Sequence, residues 1–238
     1  MSSSDGLSSA APDVLYRDGL ILIVDKPAGV PVHAGPSGGP SMEDQFDALR
    51  FGLPRPPALA HRLDRDTSGC LVLGRHPKAL RRVGKLFSDG RVRKTYWAVV
   101  RGMPAEKSGR IDFPLLKTST KSGGWRMVVD REGQEAVTDF RVAGLSEDGL
   151  CWLELSPRTG RTHQIRVHCA QSGFPILGDP WYGTAEDRRA DSGIPLHLHA
   201  RSIELPLYPK KSAVSATAPI PAAMQAAFGR CGWSVVRQ

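Results

Sequence analysis

Apolar positions along this chain fall in short runs separated by Gly, Pro, Asp and Ser. VLYRDGLILIV (residues 14–24) predicts two strands joined at Asp18-Gly19, a dipeptide suited to a tight hairpin turn. DKPAGVPVHAGPSGGP, which follows, is a long loop rich in Gly and Pro. SMEDQFDALRFG predicts a short helix, with Ser41 as its cap, Met42, Phe46 and Leu49 on one face, and Gly52 at its end. HRLDRDTSG, His61–Gly69, then leads directly into a strand-like CLVLG. HPKALRRVGKLFSDG predicts a helix with Pro77 in its first turn and Gly90 beyond its end. One face carries Lys78, Arg81, Arg82 and Lys85 at i, i+3, i+4, i+7, and the opposite stripe carries Leu80, Val83 and Phe87. RVRKTYWAVVRG alternates as a strand does, and further strands are predicted at 135–144, 150–156 and 196–205. THQIRVHCAQSG predicts a helix capped by Thr162 and stopped at Gly173, and PAAMQAAFG another short one. Strands outnumber helices and do not alternate regularly with them, which predicts an α+β fold with a mostly antiparallel sheet. Residues 1–12 are small and polar and predict a disordered tail ahead of a globular body over 13–238.

Length and composition narrow this picture. With 238 residues, 40% of them hydrophobic, the chain can bury a sizeable core as one large domain or two intimate subdomains. The net charge of +8 suits a polyanionic partner. Its distribution matters more, because residues 75–94 hold eight Lys/Arg and a single acid, Asp89. The basic helix reads either as a solvated amphipathic face or as a phosphate-contacting one. The four cysteines are far apart and form no Cys-x-x-Cys, so they predict reduced core residues rather than a zinc site or a disulfide framework. The N-terminus has neither the basic nor the apolar region of a secretory signal, and no apolar run approaches spanning length. A cytoplasmic location is the default expectation.

Three stretches could carry chemistry. In HRLDRDTSG, Asp64 and Asp66 are candidate nucleophiles or acid–base groups. One of the two acting alone is expected rather than a dyad. Arg62 and Arg65 could keep such a carboxylate ionised. On composition alone, a turn whose Asp, Thr and Ser side chains bond to backbone is the plainer reading. SPRTGRTHQIRVH (156–168) holds three arginines, two histidines and no acid. Its TGRT, placed before a helix, could cradle an anion. His163 and Arg166 share one helix face, and an inward-pointing Arg166 must meet a carboxylate. His163 and His168 are not at the i, i+4 spacing of a helical zinc pair, so no metal is expected. Tyr96 in KTYWAVV is either core or a base-stacking aromatic. GPSGGP lacks the context of a nucleotide-binding loop, so no organic cofactor is implied.

Together these stretches resemble the RluA family of RNA pseudouridine synthases. The resemblance covers nearly the whole chain after residue 13. DKPAGVPVH, with Lys26, Pro27, Gly29 and His33, looks like its first motif, and HRLDRDTSG like its catalytic motif. KTYWAVVRG, GRTHQIRVH, PILGDPWYG, LHLHA and ATAPIP follow in the family's order. Gly74-Arg75 and Tyr208-Pro209 depart from common family residues at positions away from the implied chemistry. About a dozen residues precede the first strand, so a member without an S4 domain is expected, its catalytic domain binding RNA alone. The resemblance implies a mixed, mainly antiparallel sheet in two subdomains with a central active-site cleft. It implies isomerisation of specific uridines in rRNA and/or tRNA, with Asp64 as the catalytic carboxylate and Asp66 at a variable position. Tyr96 would pack on the target base, Arg166 would pair with Asp64, and Arg62 would help displace the uridine. Phosphate contacts would come from Lys78, Arg81, Arg82 and Lys85 and from Arg158, Arg161 and His163. The expected partner is RNA, with no membrane and no protein partner, and a monomer is expected. A glycosidase-like hydrolase and a non-catalytic RNA-binding module are the alternatives.

Overall fold

The computed structural model describes residues 11–35, 38–119 and 124–234. The predicted tail over 1–12 therefore falls, except for Ala11 and Pro12, outside the described residues. The chain forms two compact units, one from the residues up to Val92 with Ser202–Pro219, the other from Arg93–Arg201 with the residues from Ile220 on.

The first unit opens with β1 (Val14–Arg17) and β2 (Ile21–Lys26), antiparallel as predicted. The Asp18 carboxylate accepts the N–H groups of Leu20 and Ile21 and so closes their turn. Met42–Leu49 is a 3-10 helix rather than an α-helix. Its polar side chains bond three residues apart, Asp44 to the Ser41 N–H and Asp47 to Arg50, which suits three residues per turn. Met42, Phe46 and Leu49 are buried, as their spacing predicts. After β3 (Ala58–Leu59) comes β4 (Ser68–Gly74), which pairs antiparallel with both β2 and β3. Residues Ile21–Val24 and Cys70–Leu73 are buried on both faces, which explains their unbroken apolar runs.

Helix α1 (Pro77–Ser88) starts where the His76 ring accepts the Ala79 N–H. Its buried stripe is Ala79, Val83 and Leu86, with Leu80 and Phe87 only half-buried on the flanks. The predicted stripe of Leu80, Val83 and Phe87 was thus rotated, because small Ala79 can approach the sheet more closely than a leucine. Val83 and Leu86 pack on Ile21, Ile23, Cys70 and Val72.

The second unit holds β5 (Arg93–Arg101), β6 (Ser108–Ile111), β7 (Leu115–Ser119), β8 (Trp125–Val129), β9 (Thr138–Leu145) and β10 (Leu150–Pro157). Strands β5, β10, β9 and β6 pair antiparallel in that order, and β7 and β8 form a separate two-stranded sheet. Helix α2 (Gln164–Gln171) packs Ile165 and Cys169 against Ala98, Val100, Leu153 and Leu155. Strand β11 (Leu198–Leu205) begins in the second unit and ends in the first, where β12 (Val214–Thr217) pairs with it antiparallel. Helix α3 (Ala222–Arg230) returns to the second unit and buries Met224, Ala227 and Phe228. The fold is α+β with a mainly antiparallel sheet. The strands predicted at 135–144, 150–156 and 196–205 are β9, β10 and β11. Strands β3, β6, β7 and β8 are short and lack a clear alternation, and β12 alternates but is only four residues long. All four cysteines are buried free thiols.

Candidate active site

The register of β2 against β4 places Lys26 opposite Gly69 and Asp25 opposite Cys70. The loop leaving β2 and the loop entering β4 therefore meet, and they are the first and second motifs of the sequence. The Lys26 ammonium, fully buried, donates to the carbonyls of Pro27 (2.7 Å) and Arg65 (2.8 Å). The Arg65 side chain answers by donating to the Gly29 carbonyl at 2.9 Å. Between them Asp64 opens a turn in which the Thr67 N–H donates to the Asp64 carbonyl. The turn reading from composition and the site reading therefore describe the same residues. Leu63, Thr67 and Ser68 are buried and anchor the turn, Asp64 and Asp66 are half-buried, and Arg62 is exposed. Burial pushes the Lys26 ammonium down to about 7, against the pull of the Asp66 and Asp64 carboxylates.

Helix α1 of the same unit exposes Lys78, Arg81, Arg82 and Lys85. Lys85 pairs with Asp89 at 3.1 Å, and the Arg82 guanidinium lies over the Tyr208 ring. Two other charges of the basic stretch serve the fold. Arg75 donates to the carbonyls of Asp18, Arg50 and Phe51, and Lys94 to that of Thr159.

In the second unit Tyr96 lies on β5 opposite Leu155, half-buried against the core. Helix α2 starts at His163, in the left-handed region at φ 52°, without a side-chain cap, so Thr162 does not cap it. Gln164 organises the TGRT turn instead. Its carbonyl accepts the Arg161 N–H and the Thr159 hydroxyl, and its amide donates to the Val137 carbonyl and the Thr138 hydroxyl. The N–H that a free cradle would offer at Arg161 is thus already bonded. Arg158 pairs with Asp139, and Arg161 donates to the Glu135 carbonyl.

Arg166 is 3% exposed and, as a buried arginine requires, meets a carboxylate. Within its own unit that is Asp179, gripped through two hydrogen bonds of 2.8 and 2.7 Å. Asp179 also accepts the N–H groups of Trp181 and Tyr182, and the Arg166 guanidinium lies 5.2 Å from the Tyr182 ring centre. The Tyr182 hydroxyl accepts the Met127 N–H and shares a hydrogen bond of 3.0 Å with His163 Nδ1. The structure thus gathers His163 and Arg166 into one cluster with Asp179, Trp181 and Tyr182. It places Arg158 and Arg161 on the turn before α2, Tyr96 on β5, and Arg62 and Asp64 with the basic helix in the first unit. Among the described residues no cluster of His, Cys, Asp and Glu could hold a metal ion.

A sequence model of RNA pseudouridylate synthases matches residues 20–171, more than half of the chain. The chain belongs to that family. It is an RNA pseudouridine synthase, an isomerase of the RluA type. The synthase is 45% identical over 214 residues to an uncharacterized RNA pseudouridine synthase of Zymomonas mobilis, covering 90% of this chain and 95% of that one. It is 36% identical over 200 residues to ribosomal large subunit pseudouridine synthase C of Buchnera aphidicola, covering 80% of this chain and 62% of the relative. RNA pseudouridine synthase 3, mitochondrial, of Arabidopsis thaliana is 38% identical over 197 residues, which cover 71% of this chain and 40% of that one. The synthase thus spans nearly all of the first relative and under two thirds of the other two. Human RNA pseudouridylate synthase domain containing 4 superposes with a TM-score of 0.76 at 28% identity, covering 94% of both chains.

Several positions that brace these candidate segments, each within its own unit, carry no role in the sequence reading. Lys26 braces the Asp64 turn, Gln164 the turn before α2, and Asp179 the Arg166 side chain. Asp187 accepts from Arg101, from the Gly178 N–H and from Thr184, and so fixes the Gly178–Asp187 loop. Burial works against its ionisation, but these donors hold its carboxyl below the usual range. Lys26, Gln164 and Asp179 lie inside sequence motifs, whose order was legible while the bonding partners were not.

Proposed function

We propose that this synthase isomerises uridine in ribosomal RNA of the large subunit, with Asp64 as the catalytic carboxylate. The observation that carries the reading is the double brace on the Asp64 turn, Lys26 to the Arg65 carbonyl and Arg65 to the Gly29 carbonyl. A carboxylate that must meet one sugar carbon gains from a turn fixed this way. The name of the Buchnera relative supports the ribosomal target, and tRNA is the second substrate to test.

In the reaction the bond from uracil N1 to ribose C1′ breaks and a bond from C5 to C1′ forms. The proton on C5 leaves and N1 gains one, so no atom is gained or lost. Asp64 acts ionised whether it attacks C1′ or takes a sugar proton. Arg62, exposed beside it, helps draw the uridine out of its stack. Tyr96 packs on the detached base and holds it for reattachment. Arg166, held in place by Asp179, is the third residue assigned to the reaction.

Asp64→Asn is expected to keep the fold and RNA binding and to abolish pseudouridine formation. Pseudouridine mapping of total RNA, with and without the gene and with the variant restored, checks both the residue and the target. Wild-type modification by Asp64→Asn overturns the assignment. Release of free uracil would point to the hydrolase reading, since an isomerase releases none.

A further inference from the structure

The β7–β8 sheet of the second unit carries an aromatic cluster that the isomerisation leaves without a task. Its inner side is a small core in which Leu115, Met127 and Ala136 meet Val167 of α2. Trp125 and Tyr182 pack on that core, and the rings of His163 and Trp181 lie against theirs. Trp125 is 5.2 Å from His163 and 5.4 Å from Trp181 between ring centres, and His163 is 4.9 Å from Trp181. The simplest account is a satisfied satellite core. Two observations go beyond it. Trp181 is 42% exposed, whereas Trp97 and Trp152, half-buried like Trp125, pack on each other and on Phe228. The cluster is also edged by cations. Lys117 Nζ lies 4.6 Å from the Trp125 ring centre, and the Arg126 guanidinium 5.8 Å from that of Tyr182. Both are exposed, and β7 and β8 contain no acid. The nearest carboxylate in the cluster, Asp179, is fully buried and paired with Arg166.

We propose that Trp125 and Trp181, with Lys117 and Arg126, form a platform on which the RNA substrate stacks an unpaired base. This rests on the reading that the chain acts on RNA. Indole faces stack bases of any sequence, and flanking cations meet the phosphates on either side. The platform is preorganised. The backbone N–H of Trp181 is held by Asp179, and Asp179 by Arg166, so the loop that presents the indole is fixed. A membrane or an acidic protein would use the cations but would not need two angled indoles beside them.

The test uses the full chain and fluorescein-labelled twelve-nucleotide RNAs, oligouridylate and a mixed-sequence single strand, with a twelve-base-pair RNA duplex as control. Trp125→Ala and Trp181→Ala are each expected to weaken single-strand binding roughly tenfold, measured by anisotropy. Duplex binding is expected to change less than threefold. Quenching of tryptophan fluorescence by oligouridylate is expected to fall in both variants. Trp181→Phe keeps a ring on the Asp179 loop and is expected to restore binding to within threefold, which separates stacking from misfolding. Wild-type affinity in both alanine variants, or equal loss on single strand and duplex, overturns the platform. Pseudouridine formation by the wild type is measured in parallel. Modification without a platform effect refutes this inference alone, and a platform effect without modification by the wild type refutes the isomerase reading alone.

Discussion

A lysine with no exposed surface lies beneath the turn that carries Asp64. Burying an ammonium is costly, and Lys26 is tolerated because two carbonyls accept from it and two carboxylates lie near. Its pKa of about 7 in the folded chain lies below the ordinary 10.5. Between those values the unfolded chain holds a proton that the folded one has shed, so this residue makes stability rise with pH. Comparing wild type with Lys26→Met isolates the effect. The difference in unfolding free energy should move in favour of the wild type above pH 7, by up to about 1.4 kcal/mol per pH unit. Urea denaturation at pH 7, 8 and 9 measures it, and a constant difference would mean that Lys26 keeps its charge when folded. The sequence showed Lys26 in a motif but not its role, because that role depends on the Arg65 carbonyl, thirty-nine positions away. Asp179 is a similar case. That Arg166 needed a carboxylate followed from the cost of burying it, but which of the chain's acids answered did not.

At the scale of elements, α1 and α2 were both legible as helices, but the burial of α2 was not. Helix α1 has a polar face open to solvent, so period and exposure agree and only the centre of the apolar stripe was misplaced. Helix α2 is buried nearly all round, with Gln164, Arg166 and His168 among its buried residues. His168 donates from Nε2 to the Phe113 carbonyl and accepts the Thr138 hydroxyl proton at Nδ1, and burial lowers its pKa. A helix that satisfies its polar residues on distant segments looks soluble in sequence and is core in fact. For α1, replacing Lys78, Arg81, Arg82 and Lys85 together by Gln should weaken RNA binding and flatten its salt dependence. Each cation that neutralises a phosphate steepens the fall of log K with log salt by about 0.7–0.9, and its removal gives that amount back. Lys85, paired with Asp89, should contribute least. An unchanged slope would make this stripe a solvated face. The β7–β8 hairpin escaped prediction because its short strands follow no alternation, and the link 120–123 lies outside the described residues.

In the whole molecule the chain leaves its first unit after Val92, re-enters at Ser202 and leaves again after Pro219. The C-terminal helix α3 thus belongs to the second unit, where Phe228 sits fully buried against Trp97 and Trp152. Phe228→Ala should cost about 3–5 kcal/mol, read by urea denaturation. A cost below about 1 kcal/mol would mean that α3 is dispensable to the second unit. The sequence by itself determined the α+β class, the main strands and helices, and, through the order of its motifs, the family and the residues to test. Those follow from period, turn chemistry and motif spacing, which are local properties of the chain. Only the tertiary structure decided which unit each segment joins, that Lys26 braces the Asp64 turn, that Asp179 holds Arg166, and that Trp125 and Trp181 meet. Each of these pairs residues far apart in sequence, and burial makes an unpaired polar group costly without saying where its partner lies along the chain.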